Sequence, residues 1–360
     1  YRLLTTRTLG LLLAHHLPWT LFSGFLLASS LWAEIPMMSL KRSIIFIMGF
    51  TALATLTHTS MSPVKLMQRC VIYSAGLSAM ISLLMVVGLP ADCSSLASRP
   101  GLAGMSNHPN TLSAVMFTGW ILALGYKPAS SREKRLLRLN QIAILIALVL
   151  TGSVTGILVA CVGTISYATL TTQSYRRGIM LLLGVTLTAA VLLAGPGNVK
   201  SMAFDAVERD ESMSGRDTLW EDVFREAQKR PVCGSGFGGF WYEGRGREIT
   251  GTWNPRQSHL AYLDVYVDLG AVGLIICLGL VAVPLWAAAS SRLGSLGSNQ
   301  RRAIGSMVAL GVALLCAYGF SQSFLFRLDQ FAMLALLWSL LLIGNKDRNS
   351  IEAEFSDESC

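Results

Sequence analysis

Charge is scarce in this sequence. Only 14% of its 360 residues are Asp, Glu, Lys or Arg, against about 25% in ordinary soluble domains, and that shortfall excludes a water-soluble globular chain. None of its seven cysteines stands in a CxxC or Cys/His spacing, so the sequence offers no metal site. Cys161, Cys277 and Cys316 fall in apolar runs, where each reads as a small apolar residue, and nothing in the sequence brings Cys93 and Cys233 together as a disulfide. Lys and Arg outnumber Asp and Glu, 29 to 21, but the basic residues are spread over loops and form no stripe with interleaved aromatics, which excludes nucleic acid as a partner. The sequence also starts without methionine or a signal-peptide pattern, and the chain beginning at Tyr1 is expected to lack part of its natural N-terminus.

What is present is hydrophobic, at 52% of residues and a mean hydropathy of +0.51. Crossing ~30 Å of hydrocarbon takes about 20 apolar residues, and suitable runs lie near 9–32, 43–60, 70–91, 109–126, 178–195, 260–289, 303–323 and 328–343. The run 139–170 is too long for one span and is interrupted by Thr151-Gly-Ser-Val-Thr-Gly156, so it reads as a helical hairpin. Short loops rich in Lys and Arg stay on the cytoplasmic side of a membrane. Lys127, Arg132, Lys134, Arg135 and Arg138 mark one such loop, Arg176 and Arg177 a second, and Arg292, Arg301 and Arg302 a third. Even numbers of crossings must separate them, which independently requires the hairpin. The expectation is therefore an all-α polytopic membrane bundle of about ten transmembrane helices, both ends inside. Lys41 and Arg42 fall on the wrong side of it, which makes the first two helices its weakest part. Four regions follow: an N-terminal bundle at 1–195, an extracytoplasmic segment at 196–259, C-terminal helices at 260–344, and an acidic tail at 345–360 expected to be disordered.

A membrane protein places irregular backbone where water or a substrate needs it, and here that place is 196–259. From Asp217 to Arg230, Leu219, Trp220, Val223, Phe224 and Ala227 recur at helical spacing opposite charged residues. Ser214 three residues before Asp217 is a capping-box start, and Lys229-Arg230-Pro231 a stop. Such a helix would lie over the bundle as a lid or along the lipid headgroups. Beyond it, Gly234-Ser-Gly-Phe-Gly-Gly239 lacks the Lys-Ser/Thr of a nucleotide loop and follows no strand. With Phe237, Phe240 and Trp241 it reads instead as a tight turn whose backbone approaches something closely, next to aromatic faces. His259 then stands at the outer mouth of the bundle.

The order Ser214-Gly-Arg-Asp-Thr-Leu-Trp220, Arg230-Pro-Val-Cys-Gly-Ser-Gly-Phe-Gly239, Ser258-His259, Tyr262-Leu263 and Asp268-Leu-Gly-Ala-Val-Gly-Leu274 resembles the signature of the bacterial O-antigen ligase and polymerase superfamily, closest to its exopolysaccharide polymerases. Arg99-Pro-Gly-Leu-Ala-Gly104 and Asn107-His-Pro-Asn110 are similar to further elements of that family. The resemblance implies a multi-pass glycosyltransferase of the bacterial inner (cytoplasmic) membrane that takes a glycan from undecaprenyl diphosphate on the outer face. It implies no metal and no cofactor, with other polysaccharide-assembly membrane proteins as partners. Carried over, Arg216 matches the diphosphate-contacting arginine and His259 the essential histidine; Arg99, Asn110, Gly236, Trp241 and Tyr262 complete the expected substrate-binding set. Two departures stand out: Val154 occupies the usual arginine position of the hairpin turn, and Leu260 follows His259 where asparagine is frequent.

Transfer from a lipid diphosphate requires charge stabilisation on the leaving group, which the planar arginine fork provides, and a group to take the acceptor proton, a step worth ~10² to 10⁴ in rate. The sequence assigns the first to Arg216 and the second to His259. Arg99 is the substitute for the missing hairpin arginine, with Arg245, Arg247 and Arg256 as alternatives. The glycine-aromatic stretch and Tyr262-Leu-Asp264 tilt the reading from ligase to polymerase. The competing class is a transporter or flippase, for which 151–156 would be a discontinuous helix at mid-membrane. Against it, the membrane runs offer His15, His16 and His58 but no evident acidic coupling residue, Glu34 lying at a helix end. A third reading makes the chain a non-catalytic scaffold or sensor that binds proteins through its external segment.

Overall fold

The computed structural model describes residues 14–88, 101–106, 108–171, 216–251, 254–290, 296–314, 318–319, 322–327 and 330–344. Arg99, Ser214, the apolar run 178–195 and the acidic tail lie outside the described residues. Among those described, every regular element is helical. In chain order they are α1 (Leu17–Ala28), α2 (Pro36–Thr59), α3 (Pro63–Gly88), α4 (Pro109–Gly125), α5 (Ser131–Leu150), α6 (Val154–Thr171), α7 (Arg216–Ala227), α8 (Arg245–Thr250), α9 (Ala261–Ser290), α10 (Ser298–Ala313) and α11 (Phe331–Gly344).

Among the described residues, Pro36–Thr59, Pro63–Val86, Val154–Thr171 and Ala261–Ser290 are long and apolar enough to cross a membrane. Leu17–Leu31 and Phe331–Ile343 are shorter apolar helices. Side chains such as Leu21, Met48, Leu84 and Ile275 are apolar and exposed along the bundle, as lipid-facing surface requires. The centre is α4, wrapped by α3, α5, α6, α10 and α11, with Leu112, Met116, Phe117, Ile121 and Leu122 inaccessible. Polar contacts join helices inside: Asn140 Nδ2 donates to the Ile72 carbonyl at 2.7 Å, and Trp120 Nε1 to Thr164 Oγ1 at 3.0 Å. Such bonds act as interhelical glue where lipid offers no competing donor.

The break in the long run is where the sequence puts it. Thr151 Oγ1 donates back to Leu148 O at 2.6 Å and accepts from Ser153 N at 3.2 Å. Ser153 Oγ then caps α6 by accepting from Gly156 N at 3.2 Å. Helix direction sorts the connections into two ends. One end gathers residues 29–35, 101–106, 151–153, 228–251, 254–260, 318–319 and 322–327, joined by Leu102 N to Leu150 O, Ala261 N to Gly319 O and Tyr318 Oη to Asn110 O. The arginine-bearing connections at 127–138 and 301–302 lie at the other end, where the Arg302 carbonyl abuts Gly125. Arg42, near the start of α2, belongs to the first end.

Candidate functional site

The amphipathic stretch forms α7 as its periodicity predicts. Its apolar face is covered by protein and not by headgroups: Leu219, Val223 and Ala227 make a small core with Phe240, Leu263 and Val267, the last two from the first turns of α9. Trp220 Nε1 pins the helix to the Ser258 carbonyl at 2.8 Å.

The glycine turn approaches backbone. At Gly270 the helix α9 is interrupted (φ 65°, ψ −168°), and the carbonyls of the turn enter the gap. Ala271 N donates to Pro231 O at 2.8 Å, Val272 N to Val232 O at 3.2 Å, and Ser235 N to Val267 O at 2.9 Å. A Cβ on Gly270 would lie 2.2 Å from Val232 O, and one on Gly234 2.5 Å from the Asp268 carbonyl carbon, so neither position admits a side chain. The turn is held on its other side by residues 29–42. Trp32 Nε1 donates to Cys233 O at 3.0 Å, Phe237 N to Ser29 Oγ at 3.0 Å, Glu34 N to Ser235 O at 3.0 Å, and Arg42 Nη1 to Gly238 O.

Arg245 locks α7, α8 and residue 34 together. Its Nη2 lies 2.8 Å from Glu226 Oε1 and 3.8 Å from Glu34 Oε2, and its guanidinium sits 5.0 Å from the Phe240 ring centre and 5.4 Å from that of Tyr242. Burial pushes the Glu226 carboxyl up, but the Lys229 hydrogen bond and the Arg245 charge outweigh it and hold the group below the usual carboxylate range. A lowered folded-state pKa contributes stability above the unfolded value near ~4.3, lost as pH falls through the folded value. Acidification from about pH 6 to about pH 3 should therefore loosen α7 from α8, read as a shift in tryptophan emission that Arg245→Met should give at neutral pH. Emission that stays flat across the titration would contradict this.

Between the turn, α2, α9 and residues 323–327 lies a cavity of about 900 Å³. One part of its wall is apolar: Met38, Ile45 and Phe46 of α2, Leu269 of α9, and Phe324 to Phe326. The other part carries Arg42, Arg256, Gln257 and Arg327 with Trp241, Asp264 and Asp268. Arg327 Nη1 donates to Gln257 Oε1 at 2.5 Å. Asp264 Oδ1 accepts from Trp241 Nε1 at 2.9 Å and from Ser258 N at 3.0 Å. Asp268 Oδ1 accepts from Phe240 N at 3.2 Å. Two residues at the cavity have left-handed backbone without being glycine, His259 (φ 60°) and Phe326 (φ 59°), a conformation that costs of order 1–3 kcal/mol and clusters at functional sites.

Of the residues expected from sequence, Trp241 lines the cavity. His259 stands just off its wall, with Nδ1 3.1 Å from Gln257 Nε2, so that it reaches the cavity through Gln257 and Arg327. Arg216 is the first residue of α7, one turn before the Trp220 that binds Ser258. Tyr262 packs against Gly319, and Asn110 lies at the start of α4, its carbonyl accepting from Tyr318; neither is on the cavity wall. Gly236 is buried against Ala33 and Ser29. Of the alternative arginines, Arg245 is occupied in the lock just described, Arg247 is exposed away from the cavity wall, and Arg256 lines it.

Residues 139–278 match the family model described as O-antigen ligase. This match supports placing the chain with the O-antigen ligase and polymerase superfamily. The matched stretch runs from α5 to the middle of α9, and so includes the turn, His259 and both cavity aspartates. Among curated proteins no sequence matches the chain. Among solved structures it is similar to a chain of "Structural coordination of polymerization and crosslinking by a peptidoglycan synthase complex", with 17% identity, coverage of 93% of this chain and 97% of that one, and a TM-score of 0.46.

Sequence reading missed Arg42, Arg327, Asp264 and Asp268 as wall residues. Arg42 did leave a signal, since it was a charge on the wrong side of the topology. The aspartates left another, standing one turn apart in the opening of an otherwise apolar helix.

Proposed function

We propose that this protein transfers a glycan from undecaprenyl diphosphate to an acceptor hydroxyl during surface-polysaccharide synthesis in the bacterial inner membrane, acting as a polymerase in preference to a ligase. The observation that carries this reading is the two-sided cavity. Its apolar wall includes Ile45, and Met37 and Ile44 are exposed on the same helix α2, a setting suited to a polyprenyl tail. Its polar wall gathers Arg42, Arg256 and Arg327, which suits a diphosphate, because several guanidinium forks neutralise a leaving group that keeps its negative charge. Arg216, at the start of α7, is assigned to the diphosphate in this reading, and His259, through Gln257, sets the position of Arg327. Trp241 offers an aromatic face to the sugar. With charge neutralised by arginines, the reaction calls on no metal in this reading.

The transporter alternative loses its main support. The break at 151–153 is a turn between two helices at the loop-bearing end, closed by Thr151 and Ser153, and not an unwound segment at mid-membrane of the kind that binds transported ions.

The test is the purified full chain in liposomes with a polyprenyl-diphosphate-linked repeat unit. Release of polyprenyl diphosphate with products growing by one repeat is the expected result, and block transfer to a different acceptor would make it a ligase. Arg256→Ala and Arg216→Ala should each slow turnover by roughly 10- to 100-fold, the value of a charge-assisted hydrogen bond of about 1.5–3 kcal/mol. A wild-type chain that moves the intact lipid-linked unit across the bilayer without cleaving it would overturn the proposal.

A further inference from the structure

We propose that Asp264 is the group that binds the acceptor hydroxyl and takes its proton, with the hydroxyl of Ser323 completing the acceptor subsite; this rests on the glycosyl-transfer reading above. Ala261, Asp264, Val265, Asp268 and Leu269 form one helical face of α9 against the cavity. The two carboxylates on that face are used differently. Asp268 is engaged with the backbone of the glycine turn through Phe240 N and serves its architecture. Asp264 has one oxygen fixed by Trp241 Nε1 and Ser258 N. That orients the carboxylate while leaving it partly accessible. A carboxylate has about four lone-pair sites, so two donors on Oδ1 and the nearby Ser323 hydroxyl still leave room for a substrate O–H.

An independent observation points to the same place. Ser323 lines the cavity beside Asp264, is only 6% exposed, and its hydroxyl lies near enough to hydrogen-bond that carboxylate. A sugar hydroxyl seated between the two would donate to Asp264 and accept from Ser323, using both groups at once. His259 does not line the cavity, and Glu243 is exposed at its rim.

The step balances as follows. The acceptor O–H bond breaks and its proton passes to the Asp264 carboxylate. The acceptor oxygen forms a bond to the anomeric carbon as the bond from that carbon to the diphosphate oxygen breaks. The electron pair leaves on the diphosphate, held by the arginine wall, and the Asp264 proton is later released to water.

The experiment compares Asp264→Asn, Ser323→Ala and His259→Gln in the full-length protein in liposomes, reading kcat, acceptor KM, the pH profile and binding of polyprenyl diphosphate alone. Asparagine retains a carbonyl for Trp241 and Ser258 and cannot act as base. Asp264→Asn is therefore expected to lower kcat by ~10² to 10⁴ with binding of polyprenyl diphosphate unchanged. Ser323→Ala should raise acceptor KM, and His259→Gln, though slower, should keep the wild-type acidic limb. Three results would each overturn the assignment: Asp264→Asn with kcat near wild type, loss of polyprenyl diphosphate binding in that variant, or disappearance of the acidic limb in His259→Gln. A wild-type chain that cleaves no lipid diphosphate would instead refute the reaction class, a result distinct from a loss confined to Asp264→Asn.

Discussion

Gly270→Ala should strongly destabilise the folded protein. At φ 65° and ψ −168° the residue occupies a region that is essentially glycine-only and costs about 1–3 kcal/mol for other residues. The methyl group would also meet Val232 O at 2.2 Å and Cys233 N at 2.6 Å. Both are backbone atoms tied into the junction with the turn, so neither can swing aside as a side chain would. Overpacking of that kind adds roughly 1–3 kcal/mol. Together these take a large share of the roughly 5–15 kcal/mol that holds a typical domain. Thermal unfolding in detergent, followed by tryptophan fluorescence, should show a much lower midpoint and poor recovery from membranes. Gly279→Ala provides the contrast, because it lies on the same helix with nothing within 4 Å of the added atom. Equal midpoints for the two variants would mean that α9 and the turn are not joined as described.

Arg42→Ala should reduce turnover by ~10² to 10³, the range seen when one preorganised donor is removed from a charge-stabilising site. Arg42 is exposed into the cavity from α2 and also donates to the Gly238 carbonyl, so its guanidinium is fixed before any ligand arrives. Lysine keeps the charge and loses the fork, and Arg42→Lys should recover only part of the rate. Because the Gly238 bond is also lost, a drop in midpoint is expected alongside, and donor affinity measured with polyprenyl diphosphate separates the two effects. Wild-type affinity in Arg42→Ala would remove the diphosphate from this wall.

Much of the bundle was legible because its cues are local. The split at Thr151-Gly-Ser153 follows from hydroxyl caps within a few residues of one another, and α7 from a 3.6-residue apolar repeat. Both appear where the sequence places them. Residues paired across about two hundred positions were not legible. That Gly236 packs on Ala33, or that Cys233 O accepts from Trp32, leaves no trace in either stretch alone. Arg42 was misjudged for a related reason. The rule that cationic loops stay inside weighs loops in bulk, and a lone arginine turned into a cavity is a cost that function can justify. The kink of α9 was hidden as well. Residues 261–290 read as one apolar run, and the break at Gly270 exists only because Pro231 and Val232 supply the carbonyls that the interrupted helix lacks.

That junction makes the segment 216–260 inseparable from α9. The amides of Ala271 and Val272 depend on the turn, and Ser235 depends on Val267. Excising residues 216–260 as a soluble fragment would strand donors and acceptors on both pieces, so swapping this segment between relatives should succeed only when the first turns of α9 travel with it. In hydrogen-exchange experiments the Ser235 amide, although it belongs to an irregular turn, should be as protected as the amides of α9 itself.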